Sequence, residues 1–182
     1  MIMGFELGIL DGIQHLRNPV MDSVMVFITH LGDGGAVWIA LALVLLLIPK
    51  TRRCGAVLAA SLMLEVVCCN LLLKPLTARV RPCDVSRGIA LLVPRPEDYS
   101  FPSGHTGASF AAVSALLFSR NKLWLPCLVL ACLIGFSRLY LYVHYPTDVL
   151  AGALLGLAAG FAAEQAVRRV KHPGSVKDGQ PQ

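Results

Sequence analysis

Residues 54–73 read CGAVLAASLMLEVVCCNLLL, an apolar run in which Glu65 is the one charged residue. About 20 such residues are needed for a helix to cross the hydrocarbon core of a bilayer, so this run predicts a transmembrane helix. Within it, Glu65 and Asn70 are expected to face a bundle interior or a wet cavity, because a polar group facing lipid costs free energy. We interpret Glu65 as an interior hydrogen bonder, with a helper role in a polar site as the alternative.

Further apolar runs extend this pattern along the chain. Hydrophobic residues make up 55% of the sequence and charged residues 15%, whereas soluble proteins carry about a quarter of their residues as charges. The sequence therefore predicts an all-α, polytopic transmembrane helix bundle of five to six spans. The additional runs cover about residues 36–48, 106–118, 123–143 and 149–167, with a weaker stretch at 20–31 that follows the helix-start signal Asn18-Pro19.

The two ends of the chain differ from this apolar centre. Residues 1–31 mix apolar and polar side chains, which predicts an N-terminal amphipathic helix at the membrane surface and leaves open whether residues 20–31 cross the bilayer. Residues 32–168 form the predicted transmembrane domain. Residues 169–182 predict a disordered cytoplasmic tail. The last run carries a glycine at every fourth position, a stripe that lets a neighbouring helix approach closely, at Gly152, Gly156 and Gly160.

The basic residues lie in loops between the apolar runs, and residues 74–101, with five basic residues and four prolines, predict one such polar loop. A net charge of +5 that is spread in this way does not form the basic face of a nucleic-acid-binding protein, so no nucleic acid partner is expected. With five spans, nine Lys and Arg residues fall on one side and seven on the other. Setting aside Lys74, Arg81 and Arg138 as site residues leaves nine against four. The positive-inside rule then predicts a multi-pass cell-membrane protein whose polar site faces the extracytoplasmic side.

Three short segments place polar groups where an apolar run meets water, all on that one side. They are Lys74 followed after six residues by Arg81-Pro82, then Pro102-Ser103-Gly104-His105, and then Ser137-Arg138 followed by His144 and Asp148. Each residue type taken singly has a structural explanation, such as a snorkelling Lys, a buried His or a turn. Their joint occurrence at one face favours a single functional site.

The cations of these segments predict an anion site. Lys74, Arg81 and Arg138 would repel one another without a multiply charged anion between them, and the guanidinium fork matches phosphate oxygens. Because Ser103 and Gly104 directly precede an apolar helix, their backbone N–H groups are expected to form a phosphate cradle at its N-terminus.

The two histidines add the chemistry that binding alone does not need. A neutral His144 can attack phosphorus, while Asp148, four residues later, holds the ring in the required tautomer. His105 can protonate the departing oxygen and later activate water. Because three cations already neutralise the transition state, we expect no metal and no cofactor, and the sequence has no cluster with metal-ligand spacing.

These segments resemble the three signature motifs of the type 2 phosphatidic acid phosphatase superfamily. Every motif position is matched, and the resemblance covers about residues 20–168. It implies an all-helical, metal-independent membrane phosphatase that works through a phosphohistidine. In that family the corresponding roles are nucleophile for His144, its partner for Asp148, general acid for His105, and phosphate binding for Lys74, Arg81, Ser103, Gly104 and Arg138.

A site at the water boundary of a bundle suits a lipid phosphate whose tail stays in the bilayer. Residues 18–29 and 135–150 are similar to small bacterial members that convert undecaprenyl pyrophosphate to undecaprenyl phosphate. Some of those members have an altered first motif, whereas this chain keeps Lys74, so phosphatidic acid and phosphatidylglycerophosphate stay open as substrates. A noncatalytic lipid-binding or transport protein and a phosphoryl or acyl transferase are the alternatives from other classes.

Overall fold

The structure is a computed structural model that describes residues 2–171. All regular elements within those residues are helical, with no strand among them, which confirms the predicted all-α class. A 3-10 turn (Asp33–Gly35) joins the second helix to the third, and a π-helical segment (Val67–Leu73) joins the fourth to the fifth. The helices are α1 (Ile2–Gln14), α2 (Pro19–Leu31), α3 (Ala36–Leu47), α4 (Arg52–Val66), α5 (Lys74–Thr77), α6 (Pro82–Val85), α7 (Gly104–Phe118), α8 (Trp124–Tyr140) and α9 (Pro146–Lys171).

The five predicted apolar runs each form a helix, namely α3, α4 with its π-helical extension, α7, α8 and α9. The start signal at Asn18 is also confirmed. Its side-chain Oδ1 accepts hydrogen bonds from the backbone N–H groups of Val20 at 3.1 Å and Met21 at 3.0 Å, and Pro19 occupies the first turn of α2. These contacts satisfy N–H groups that a helix start otherwise leaves unpaired.

By length and composition, fewer helices qualify as membrane spans than the five to six that the sequence predicts. Within the described residues, Arg52–Val85 and Pro146–Arg169 are each long and apolar enough to cross a bilayer. The α2 helix and the segment Asp33–Leu47 meet at a 44° bend and would make a third span if counted as one. The remaining apolar helices, α7 and α8, are shorter. The structure is thus a membrane helix bundle, while the number of five to six spans is not confirmed.

The centre of the bundle is α7, which packs against α4, α8 and α9. The predicted small-residue stripe of α9 makes the contact with α7. A Cβ atom at Gly156 would lie 2.3 Å from the carbonyl oxygen of Gly107 and 2.6 Å from the backbone nitrogen of Ala111. Because both neighbours are backbone atoms, α7 and α9 reach this separation only with glycine at position 156.

The region 74–101, predicted as a polar loop, begins with helix. The chain continues from the π-helical segment into α5, and α6 follows after four residues. Pro75 permits this continuation because it lies in the first turn of α5, where a missing N–H is tolerated. The prediction of a loop from residue 74 onward was therefore wrong for its first part, and Lys74 lies on a helix.

Helix α1 is amphipathic, and its buried side carries a charge. Leu10 is fully buried and Glu6 is 2% exposed, whereas Phe5 on the other side is 72% exposed. At the opposite end of the chain, α9 continues to Lys171, so residues 169–171 of the predicted disordered tail are helical. The rest of that predicted tail, residues 172–182, lies outside the described residues.

Candidate active site

The three polar segments meet at one end of the bundle, where their residues line a cavity of about 310 Å³. Six of the eight site residues predicted from the sequence line it, and they come from α5, the α5–α6 connection, α7, α8 and the α8–α9 connection. These six are Lys74, Arg81, Gly104, His105, Arg138 and His144. The other two, Ser103 and Asp148, lie behind the cavity wall, and both are fully buried.

Arg81 is held in place by the loop that precedes α7. Its Nε donates to the carbonyl oxygen of Asp98 at 2.8 Å, its Nη2 to Oδ1 of Asp98 at 2.5 Å, and its Nη1 to the carbonyl oxygen of Val143 at 2.7 Å. The guanidinium is 3% exposed. This network fixes one edge of the guanidinium and directs Nη1 towards the α8–α9 connection.

Asp98 pairs with two cations of the site at once. Its Oδ2 accepts from the ammonium group of Lys74, and its Oδ1 accepts from Arg81. Partial burial alone would raise the pKa of Asp98, but the contacts with Lys74 and Arg81 outweigh it and lower that pKa to about 2. A bound anion was expected to offset the mutual repulsion of the site cations, but this carboxylate already bridges two of them.

The contact between Arg81 and His144 determines which ring nitrogen carries the proton. Arg81 Nη1 lies 3.1 Å from His144 Nε2. A guanidinium only donates hydrogen bonds, so Nε2 must be the accepting, unprotonated nitrogen. In the neutral ring the proton is then on Nδ1, which faces Oδ2 of Asp148 at 3.5 Å. The lone pair of Nε2 is thus on the side of the cations.

The surroundings of His144 keep the ring neutral. The side chain is 2% exposed. Burial lowers the pKa of His144 well below its usual value, and the positive charges of Arg81 and Arg138 lower it further. A ring that is neutral at physiological pH is the form that can act as a nucleophile.

Asp148 is held by groups that the sequence analysis did not assign to the site. Its Oδ1 accepts from Arg79 Nη1 at 2.5 Å, and its Oδ2 accepts from the Ser100 hydroxyl at 2.5 Å and from the backbone N–H of Tyr145 at 2.9 Å. Arg79 in turn donates through Nη2 to Oε2 of Glu6, also at 2.5 Å. The buried carboxylate of helix α1 therefore reaches the residue behind His144 through one guanidinium.

The start of α7 is arranged differently from the predicted phosphate cradle. The backbone N–H of Ser103 donates to the carbonyl oxygen of Asp148 at 3.0 Å, and the Ser103 hydroxyl accepts from Thr106 at 3.0 Å. Ser103 is thus engaged in holding α7 against α9. Gly104 is the residue that faces the cavity, and a Cβ atom there would lie 4.0 Å from the ammonium nitrogen of Lys74.

Arg138 enters the cavity from α8 and is 6% exposed. Its Nη1 donates to the hydroxyl of Thr29 at 2.5 Å, and its Nε is a buried donor without a hydrogen-bond partner. A buried charged donor without a partner is costly, and an anion in the cavity would satisfy it. His105 lies in the same cavity with Nε2 2.8 Å from Oδ1 of Asp33.

An apolar groove runs between α3 and α4 and shares part of its lining with the cavity. It has a volume of about 300 Å³ and is lined by Ala, Leu, Ile, Met and Val side chains. Ile39, Leu62 and Val66 belong to both the groove and the cavity. The arrangement joins a cationic pocket to a hydrophobic channel of the kind that suits an amphiphile.

Four charged residues of this site were not predicted from the sequence: Glu6, Asp33, Arg79 and Asp98. Two of them carry a signal in the sequence. Arg79 lies inside the first motif, two residues before Arg81, and Asp33 lies in the polar turn Gly-Asp-Gly-Gly between two apolar runs. For Glu6 and Asp98 the sequence carries no comparable signal, because only tertiary structure brings them to the site.

Comparison with known proteins agrees with the motifs. A family model described as the PAP2 superfamily matches residues 54–171, which is more than half of the chain. The chain belongs to the PAP2 superfamily. All three polar segments lie within the matched PAP2 region, whereas Glu6 and Asp33 precede it.

Relatives of this PAP2 chain are similar over most of their length. An undecaprenyl-diphosphatase from Sulfolobus acidocaldarius is 35% identical over 164 residues, which cover 90% of this chain and 79% of that protein. Undecaprenyl-diphosphatase BcrC from Bacillus subtilis is also 35% identical over 164 residues, covering 87% and 81%. The crystal structure of Aquifex aeolicus LpxE superposes with a TM-score of 0.77 at 30% identity, covering 87% of this chain and 94% of that one. These matches confirm the predicted family and its class of activity, a membrane lipid phosphatase.

Proposed function

We propose that this PAP2 phosphatase converts undecaprenyl pyrophosphate to undecaprenyl phosphate through a phosphohistidine on His144. The observation that carries the proposal is the accepting Nε2 of His144, 3.1 Å from Arg81 Nη1, in a cavity that also holds Lys74 and Arg138. An imidazole lone pair next to three cations suits attack on a phosphorus atom whose oxygens those cations bind.

In the first step, Nε2 of His144 forms a bond to the terminal phosphorus, and the bond from that phosphorus to the bridging oxygen breaks. The departing lipid phosphate takes a proton from His105. The His144 ring gains positive charge, and its Nδ1–H faces Asp148, whose negative charge stabilises it. Arg81 and Arg138 neutralise the negative charge on the transferred group.

In the second step, water gives a proton to His105 and its oxygen bonds to phosphorus as the P–N bond breaks. Inorganic phosphate leaves, and both histidines return to their starting protonation states. Lys74, Arg81 and Arg138 supply the charge neutralisation that a metal ion supplies in other phosphatases, so we propose a metal-independent reaction.

The apolar groove supports a polyprenyl substrate. Its residues Ile39, Leu62 and Val66 also line the cavity, so the first part of a hydrocarbon tail can leave the site between α3 and α4. The two curated relatives described above are both named for undecaprenyl diphosphate. Phosphatidic acid and phosphatidylglycerophosphate combine the same phosphate and tail chemistry and are the alternative substrates.

We further propose five to six membrane spans, with the active site on the extracytoplasmic face of the cell membrane. The proposal requires α7 and α8 to cross the bilayer as well, although each is shorter than 18 residues. Their surroundings support it, because both pack within the bundle and both reach the cavity that holds His144. The loop charges of the sequence support the orientation.

A side-by-side assay of phosphate release tests this function. Wild-type protein in detergent is given undecaprenyl pyrophosphate, phosphatidic acid and phosphatidylglycerophosphate at equal mole fractions. We expect the highest kcat/KM on the pyrophosphate, and His144→Asn should remove turnover of all three. A higher value on either glycerolipid would reassign the substrate, and no turnover of any would favour a noncatalytic role.

A further inference from the structure

We propose that Asp33, in the turn between α2 and α3, is a positioning residue that orients His105 and strengthens its affinity for the proton that it donates. The assignment rests on the proposed function, in which His105 protonates the departing oxygen. The observation is a direct contact, since His105 Nε2 lies 2.8 Å from Oδ1 of Asp33.

The backbone of the turn is shaped to bring Asp33 over the start of α7. Gly34 and Gly35 adopt φ values of 57° and 72°, which side chains other than glycine rarely adopt. On the other side of Asp33, a Cβ atom at Gly32 would lie 2.9 Å from Cδ2 of His105. Three glycines therefore let this turn pack directly against the edge of the imidazole ring.

The charges around His105 explain why a carboxylate is needed there. The ring shares its cavity with Lys74 from α5, Arg81 from the α5–α6 connection, Arg138 from α8 and His144 from the α8–α9 connection. Each cation disfavours a protonated imidazole, yet a general acid must carry a proton when the substrate binds.

Two carboxylates line the cavity, and neither forms a hydrogen bond or an ion pair with the His105 ring. Asp98 is paired with Lys74 and Arg81. Glu65, from α4, lies against Gly107, two residues after His105 on α7, where a Cβ atom would be 2.1 Å from its Oε1. Asp33 is therefore the carboxylate placed to offset the cations at His105 itself.

The geometry also assigns a task to each ring nitrogen of His105. When the ring is protonated on both nitrogens, the Nε2–H is held by Asp33. The proton on Nδ1 is then the one available to the departing oxygen. This is the division of work in a carboxylate–histidine pair, where one N–H orients the ring and the other nitrogen performs proton transfer.

His30 completes the arrangement from the last turn of α2. Its Nδ1 lies 2.7 Å from Oδ2 of Asp33, so the two oxygens of one carboxylate contact two imidazoles. The His30 side chain is 55% exposed and the His105 side chain 21% exposed. The outer histidine thus fixes the orientation of the carboxylate that the inner one depends on.

Asp33→Asn tests the assignment, because it keeps the shape of the side chain and removes its charge. The substrate is dodecyl phosphate in detergent, because its alkoxide leaving group needs a proton, and kcat and KM are measured across pH. We expect kcat at neutral pH to fall about 10-fold to 100-fold, within the contribution of a general acid, with KM changed less than about threefold. The alkaline limb of the kcat profile should move to lower pH by about one pH unit, because His105 loses its proton more easily without the carboxylate.

Two further variants and a second substrate pair separate positioning from folding. Asp33→Glu should restore part of the lost kcat, and Asp84→Asn, which removes an exposed carboxylate paired with Arg95, should match wild type. The loss caused by Asp33→Asn should be large on dodecyl phosphate, whose alkoxide needs a proton, and small on p-nitrophenyl phosphate, whose leaving group does not.

An equal loss on both esters together with an unmoved alkaline limb would overturn the assignment of Asp33 while leaving the proposed function intact. Wild-type activity of Asp33→Asn would do the same. A wild-type protein that releases no phosphate from farnesyl pyrophosphate would overturn the proposed function, and the role of Asp33 with it.

Discussion

Arg79 Nη1 lies 2.5 Å from Oδ1 of Asp148, and this contact connects the N-terminal helix to the residue behind His144. The same guanidinium binds Glu6 through Nη2, and its Cζ atom lies 4.0 Å from the centre of the Tyr145 ring. Asp148 is completely buried and Glu6 is 3% exposed at its side chain. Two buried carboxylates therefore share one cation, which offsets the cost of burying their negative charge.

Arg79→Gln should lower the stability of the protein and slow its turnover of substrate. Leaving two buried carboxylates without their partner costs about 3–5 kcal/mol, and Asp148 loses the contact that fixes its Oδ1. We expect a lower melting midpoint in detergent and a kcat about tenfold lower, with a smaller change in KM. Arg95→Gln is the matched control, because it removes an arginine from the exposed pair with Asp84. If both variants behaved alike, Arg79 would have no special role in holding Asp148.

The α7–α9 contact predicts a strong effect of a single methyl group. In Gly156→Ala the new Cβ would lie 2.3 Å from the carbonyl oxygen of Gly107, so the helices must separate at a cost of about 1–3 kcal/mol. Gly12→Ala in α1 meets nothing within 4 Å and should be neutral or slightly stabilising. The measurement is the melting midpoint of each variant in the same detergent, which should be lower for Gly156→Ala than for Gly12→Ala. Equal midpoints would contradict the close approach of α7 and α9.

The protonation of His144 can be followed directly by NMR. Burial and the charges of Arg81 and Arg138 lower its pKa, so the ring should stay neutral as the pH falls past its usual value of about 6.5. In protein labelled with 13C at the histidine rings, the signal that disappears in His144→Asn is assigned to His144. We expect this signal not to titrate between pH 8 and about 6.5. A midpoint at or above 6.5 would show that the ring is not held neutral.

A chelation experiment tests whether the three cationic side chains suffice for phosphate release without a metal ion. Lys74, Arg81 and Arg138 line the cavity and supply the positive charge that the transferred phosphate requires. Phosphate release should therefore be unchanged, within about twofold, after dialysis against excess EDTA. A loss of turnover that added Mg²⁺ or Zn²⁺ restores would replace this mechanism with a metal-assisted one.

The sequence was informative where a polar residue is fixed relative to the end of an apolar run. Lys74 follows one run directly, His105 precedes another, and Arg138 and His144 lie near the boundary of two more. Because helix direction alternates along the chain, such residues can be assigned to one end of the bundle, and the structure places these four around one cavity.

The sequence was less informative where side-chain direction depends on tertiary packing. Asp98 lies in the loop 86–103 between α6 and α7, and nothing in its spacing shows that it bridges Lys74 and Arg81. Ser103 belongs to a matched motif, yet its N–H binds Asp148 and its hydroxyl binds Thr106. A motif thus identifies a set of residues without stating which of them face the substrate.

Glu65 is a further residue whose role the sequence did not decide. Its sequence context allowed either a structural hydrogen bond or a helper role. In the structure it is 1% exposed, lines the cavity, and has an Oε1 atom without a hydrogen-bond partner. The interior position that was predicted is confirmed. The accompanying prediction of a structural hydrogen bond is not met at this oxygen, because Gly107 leaves room for the carboxylate but offers it no donor.

The central claim, a covalent phosphohistidine on His144, is tested most directly by rapid-quench labelling. Protein is mixed with pyrophosphate lipid carrying ³²P at its terminal phosphate, quenched in base and digested, and the labelled peptide is sequenced. We expect acid-labile, base-stable label on the peptide with His144 in wild type and in the control His15→Asn, and none in His144→Asn. Label on another residue, or undiminished label in His144→Asn, would contradict the account.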